Sequence, residues 1–158
     1  YNLDLINFAL KNYREVLLSA GACTKKEFLD IVKKYKNKKN LIVMHCVSSY
    51  PLKAENVNFP KLNEIKKYFT NFGYSGHYSS IEDCYVPIIL GAKYVEKHFT
   101  YNKNQKIGDH KFSLNPKESL LLESFSNSLR SGSNSIQLKF SSGSDQRAND
   151  RSLAPISI

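Results

Sequence analysis

His77 and His98 lie near the two ends of a mostly apolar stretch, "GYSGHYSSIEDCYVPIILGAKYVEKHFT", residues 73–100. Neutral imidazoles are good ligands for divalent first-row metals. Two of them, with coordination positions left open, would form a site able to admit substrate or water. They are too distant in sequence to share a helix face, so only the fold can bring them together. Spacing alone leaves two readings open: one ion held by both rings, or two unrelated hydrogen-bonded histidines. Polar residues also gather at the ends of the apolar runs. Ser19 closes one run, His45 a second, Ser75 and His77 a third, and Glu96 with His98 a fourth. Strand side chains alternate between faces, so Ser75 shares a side with His77, and Glu96 with His98. Glu96 could orient a ligand or a bound water there, or pair with Lys93 or Lys97. Ser19 also reads as a strand-end cap, and His45 as a satisfied buried histidine. Asp109 and His110 also read as solvated residues of a Lys-rich loop.

The elements that must position these residues alternate in type. Residues 2–13 carry a partly helical apolar spacing, and 16–19 a short buried strand. Thr24 with Glu27 gives a capping-box pattern ahead of a helix whose buried face holds Phe28, Leu29, Ile31, Val32 and Tyr35. Residues 41–46 form a second apolar strand. Leu62, Ile65, Phe69 and Phe72 predict a helix over 60–72. A very short strand at 73–75, a helix within 80–91 that begins or kinks at Pro87, and a strand at 93–99 follow. Asn115-Pro116-Lys117-Glu118 then supplies an N-cap, a first-turn proline and a capping-box glutamate for a last helix. Helices alternating with short apolar strands imply an α/β fold with a parallel sheet, either a small open sheet or part of a (β/α)8 barrel. The Ser/Gly-rich texture of 131–135 and 141–150 reads as a linker or tail, interrupted by the apolar patch IleGlnLeuLysPhe.

At 158 residues the chain suits one domain. Its net charge of +9 invites a nucleic-acid reading, but the lysines sit on helix-like solvated stretches with no DNA- or RNA-binding motif beside them. We therefore expect no nucleic-acid partner. The apolar runs are too short for a membrane span, and no GxGxxG or P-loop is present. The three cysteines form no CxxC pair, which points to a reducing cytoplasm. The sequence opens on Tyr1 without a basic-then-apolar stretch, and we read that start as a fragment boundary.

Four segments then stop being generic. "MHCVSSYP" (44–51), "GYSGH" (73–77), "LGAKYVEKHFT" (90–100) and "GDHKFSLNP" (108–116), in this order and with these gaps, closely resemble the sialic acid synthase family. "LLSAGACT" (17–24) extends the resemblance, which covers roughly residues 1–130. It implies a (β/α)8 TIM barrel followed by a small antifreeze-protein-like domain, in a homodimer that exchanges those domains. On that template the chain is helix 4 through helix 8, a partial barrel with strands 5–8, and residues 131–158 lead toward the terminal domain. The implied reaction condenses phosphoenolpyruvate with N-acetylmannosamine or a related amino sugar, releasing phosphate. By resemblance, His77 and His98 match the protein ligands of a Mn2+ or Mg2+ ion, and Glu96 matches a motif carboxylate beside it, the catalytic candidate. Ser19, Ser48 and Ser75 match contacts to the phosphate or carboxylate of phosphoenolpyruvate, and Tyr50 and Asp109 match residues that bind the amino sugar. The ion would polarise the sugar aldehyde toward C3 of phosphoenolpyruvate. Water would then add at C2, and phosphate would leave. HisCys at 45–46 favours the neuraminic or legionaminic branch, again by resemblance. A legionaminic, pseudaminic or spore-coat polysaccharide synthase is the neighbouring reading, and a non-catalytic metal- or sugar-binding remnant the reading from another class.

Three departures bear on that choice. Gly76 stands where the family usually has aspartate, removing a carboxylate beside His77 and, on this reading, loosening its orientation. The first half of the barrel lies outside these residues, with the family's glutamate base and its phosphoenolpyruvate-binding lysines. So does the terminal domain, with its arginine. We therefore expect the isolated chain to be inactive.

Overall fold

A computed structural model of the chain describes residues 2–106, 108–129, 136–142 and 153–156. Helices α1 (Leu3–Asn12), α2 (Lys25–Tyr35), α3 (Phe59–Tyr68), α4 (Glu82–Ile89) and α5 (Pro116–Ser128) alternate with strands β1 (Glu15–Ser19), β2 (Leu41–Cys46), β3 (Phe72–Gly76) and β4 (Tyr94–Phe99). Two further strands, β5 (Gln137–Ser142) and β6 (Leu153–Ile156), complete a wholly parallel sheet ordered β5-β4-β3-β2-β1-β6. The result is a half-barrel with flanking helices.

The sheet's two faces have separate cores. Val16, Leu18, Val43, Phe72, Tyr74 and Val95 pack outward against Ile6, Phe28, Ile31, Leu62, Ile65 and Ile88 of the helices. The alternate residues Leu17, Ile42, Met44 and Tyr94 fill the concave side. At its base the Glu15 carboxylate of β1 accepts from the Lys93 amine and the Tyr94 hydroxyl beside β4. Strands separated by two others thus meet through their side chains, which is what a curled sheet does and a flat one cannot.

Both capping boxes form, Thr24 with Glu27 and Asn115 with Glu118. Asn115→Ala is expected to lower stability by about 1 kcal/mol in urea unfolding, since two N-terminal amides lose their partner arrangement.

The sequence pattern misleads in two places and, at Pro87, leaves the start of a helix open. The helix predicted over 60–72 ends at Tyr68, where Phe69 turns extended (φ −123°, ψ 113°). Phe69, just past α3, and Phe72, at the start of β3, are buried in one core, and periodicity cannot distinguish that from one helix face. Helix α4 starts at Glu82 and runs through Pro87. Within the stretch read as linker or tail, 137–142 pairs with β4 and 153–156 with β1. Open sheet edges offer hydrogen-bond partners that composition cannot reveal. Pro155, which lacks an N–H, sits in the edge strand that tolerates it. The remainder of 131–158 lies outside the described residues.

Candidate active site

Register places the polar residues. Cys46 is opposite Ser75, Ser75 opposite Glu96, and Gly76 opposite Lys97. Neighbours in a parallel ladder face the same way, so Ser75 and Glu96 lie on the concave side and Lys97 on the helix side. Ser75 donates from Oγ to Glu96 Oε1 at 2.9 Å. His77 and His98, two residues further along their strands, end at the same mouth with ring centroids 5.6 Å apart.

Two loops fold over this pair. After β2, residues 47–52 return to β3. Val47 accepts from His77 Nδ1 at 2.9 Å, and the Leu52 amide donates to the His77 carbonyl at 3.1 Å. Tyr50 lies tilted against His77, centroids 4.2 Å apart and ring planes at 39°. After β4, residues 101–115 return to the strand end, where the Leu114 amide donates to the His98 carbonyl at 2.7 Å. His110, buried, bonds Thr100 Oγ1 at 2.7 Å and fixes the turn that carries Asp109 and Phe112. Phe112 stands edge-on to His98 at 5.4 Å and against Tyr50 at 5.7 Å. The mouth is thus two imidazoles walled by two aromatic rings.

A carbonyl can only accept, so His77 Nδ1 carries the hydrogen and Nε2 is left with the lone pair a metal needs. His98 Nδ1 is buried without a hydrogen-bond partner, its nearest carboxylate oxygen being Asp109 Oδ2 at 3.8 Å. Burial holds both rings below the ordinary histidine pKa; the Val47 bond opposes this for His77, and Asp109 opposes it for His98. Burial, with Cys46, Asp109 and Glu96 nearby, keeps the Tyr50 hydroxyl protonated. Neutral paired imidazoles, one with an orphaned nitrogen, fit a divalent ion. Among the described residues no group of three or more His, Cys, Asp and Glu converges, so this chain would supply two such ligands and leave the rest of the shell open.

The other candidates fall around this mouth or beside it. Asp109 is half-exposed next to His98. Ser19 hydrogen-bonds the buried Cys46 thiol on the β1–β2 side, and Ser48 is exposed with its Oγ against Gly21. Glu96 pairs with neither lysine: Lys93 takes Glu15, and Lys97 takes Asp83 on the opposite face. His45 is buried with Nε2 bonded to Val57 O at 2.7 Å, but its Nδ1 has no partner, so the satisfied-histidine reading holds for one nitrogen only. Sequence reasoning missed Phe112, the Val47 carbonyl and the buried Lys97–Asp83 pair. Only the last left a signal, a lysine at a helix-facing position of an apolar strand, which demands a buried partner.

Comparisons with known proteins bear on the family and the fold. Residues 1–136 match the family model described as the NeuB family. The N-acetylneuraminate-9-phosphate synthase of Homo sapiens is 35% identical over 122 residues, covering 74% of this chain and 33% of that protein. The N,N'-diacetyllegionaminic acid synthase of Campylobacter jejuni is 32% identical over 126 residues, covering 77% of this chain and 38% of its own. A crystal structure of N-acetylneuraminic acid (sialic acid) synthetase from Leptospira borgpetersenii serovar Hardjo-bovis, in complex with citrate, superposes with a TM-score of 0.69. It is 31% identical, and the match covers 86% of this chain and 50% of that one. The chain spans about a third of the length of the relatives it matches. With the match to the family model extending over most of its residues, the chain belongs to the NeuB family.

Proposed function

We propose that this chain carries the metal- and acceptor-binding half of a nonulosonic acid synthase site, one that joins phosphoenolpyruvate to N-acetylmannosamine or a related amino sugar and releases phosphate. The observation that carries the reading is the imidazole pair, two neutral rings 5.6 Å apart at one strand-end mouth. When bound there, a divalent ion would supply Lewis-acid polarisation of the acceptor carbonyl. Two nitrogen ligands suit Mn2+ better than the harder, oxygen-preferring Mg2+. The residues have distinct duties. Val47 fixes the His77 tautomer. Ser75 orients the Glu96 carboxylate on the concave face, and Tyr50 with Phe112 offers an apolar wall to the acceptor. Asp109 accepts from its hydroxyls, and Ser19 and Ser48 lie on the side where an anionic donor would enter.

The test is Mn2+ binding by the 158-residue chain, read from the loss of the free-ion EPR signal. One site is expected. Loss of an outer partner costs about 10- to 100-fold in metal affinity, so His77→Ala and His98→Ala should each exceed the upper figure. N-acetylmannosamine should bind the Mn2+-loaded chain and fail to bind Asp109→Ala. A parent chain that takes up no Mn2+ would overturn the reading. The base and donor-binding lysines implied by the resemblance fall outside these residues, so phosphate release by this chain alone is expected to be nil. Robust turnover would contradict the half-site assignment.

A further inference from the structure

Directly behind the imidazole pair, on the helix side of the sheet, lies a buried charge that the proposed chemistry does not use. Lys97 is 1% exposed and sits between Glu96 and His98 on β4. Its Nζ donates to Tyr78 O at 2.6 Å, Ser80 O at 3.0 Å, Asp83 Oδ1 at 3.1 Å and Asp83 Oδ2 at 3.2 Å. Asp83, also buried, accepts from the Tyr74 hydroxyl at 2.9 Å. Two of these acceptors are backbone carbonyls in the segment immediately following His77. The ammonium thus ties the strand that carries His98 to the turn that leaves His77.

A buried ion pair is weak evidence for stability, because an apolar replacement of the whole network is often neutral. What a satisfied network does provide is a fixed geometry. The backbone leaving His77 is held at three places: Leu52 N on the His77 carbonyl, and Lys97 on the carbonyls of Tyr78 and Ser80. The ring itself is held by Val47.

We infer that Lys97 is a positioning residue that sets the spacing and orientation of His77 relative to His98 by gripping the 78–80 turn. Its importance for metal binding rests on the reading of the two histidines as a ligand pair. The positioning itself can be measured without metal.

The experiment uses the 158-residue chain in metal-free form. Long-range 1H–15N correlations report the His77 tautomer, and ring-proton NOEs report its contact with His98. Lys97→Met alone would strand the Asp83 charge, so the deciding variant is the charge-neutral Lys97→Met/Asp83→Asn. The expected result is a parent-like amide spectrum and melting temperature, with the Nδ1–H preference of His77 and the ring NOE lost. Retention of both signatures overturns the inference. Asp83→Asn alone would strand the buried Lys97 ammonium in the same way, so it is not used. If the double variant fails to fold, Lys97→Arg decides the matter. It keeps a cation for Asp83, but its planar guanidinium cannot reproduce the bonds to both carbonyls, so the ring NOE should weaken. A parent-like NOE and tautomer in it overturn the inference. A Mn2+ titration of the same proteins should show about tenfold weaker binding in the double variant. A parent that binds no Mn2+ would remove the metal reading while leaving the NMR outcome for Lys97 intact.

Discussion

Gly76→Asp is expected to lower the unfolding free energy by about 4 kcal/mol or more, the largest single effect at the site. A Cβ at position 76 would stand 2.3 Å from Asp83 Oδ2 and 2.7 Å from Tyr74 Cε1, so even Gly76→Ala must displace buried neighbours, at about 2 kcal/mol. Aspartate adds a second buried carboxylate beside the first, with Lys97 as the cation both would share. Removing the resident carboxylate at the same time should undo the electrostatic part. Gly76→Asp/Asp83→Ala is expected near the Gly76→Ala level, with the Tyr74 contact as the residue of the penalty. Urea unfolding of the parent and three variants checks the order; Gly76→Asp as stable as the parent would refute it. The sequence had suggested that glycine here deprives His77 of a neighbouring carboxylate. Position 76 faces the helices and not the mouth, and Asp83 fills the space a side chain there would enter. The departure from the family pattern at Gly76 therefore does not argue for a decayed site.

That correction shows which parts of the molecule are legible from residues alone. Alternation along a strand is a local property, and it placed Ser75 with His77 and Glu96 with His98 on one face without any knowledge of the partner strands. Capping is equally local, and Thr24, Glu27, Asn115 and Glu118 behave as their spacing demands. The imidazole pair is a different matter. Its approach depends on β3 and β4 being neighbours in register, and spacing could not choose between one site and two. The resemblance supplied that choice; the register brings the two rings to one mouth, and their sharing an ion is the proposal made above. Phe112 was out of reach because the segment carrying it returns to β4 through a bridge between Phe99 and Leu114, a tertiary contact across a polar loop. The strand at 137–142 was lost for a similar reason. Its apolar alternation is short and embedded in Ser/Gly-rich sequence, and the exposed edge of β4 organises it.

The second large effect is acid destabilisation, and its direction follows from burial. His45, His77 and His98 are each held below the ordinary value of 6.5 by desolvation. In the window below 6.5 the unfolded chain therefore binds more protons than the folded one, and stability falls as pH drops through it, until each folded pKa is reached. Each proton contributes about 1.4 kcal/mol per pH unit, so three rings together give a limiting slope of about 4 kcal/mol per pH unit in the metal-free protein. Carboxylates whose pKa is lowered produce a second loss of the same sign in a separate window, below 4.5. Among them is Glu15, where burial alone would raise the pKa but Lys93 and Tyr94 outweigh it. The two limbs can be told apart with His45, which lies away from the imidazole pair and whose one bonded nitrogen meets the Val57 carbonyl. His45→Gln can keep an N–H donor for that carbonyl while removing the titrating ring. It should flatten the upper limb by about 1.4 kcal/mol per pH unit and leave the lower limb where it was. Unfolding free energies measured from pH 7.5 to 3.5 decide the matter. A flat profile between 6.5 and 4.5 would mean that the histidines charge freely in the folded chain, and that burial does not keep the imidazole pair neutral.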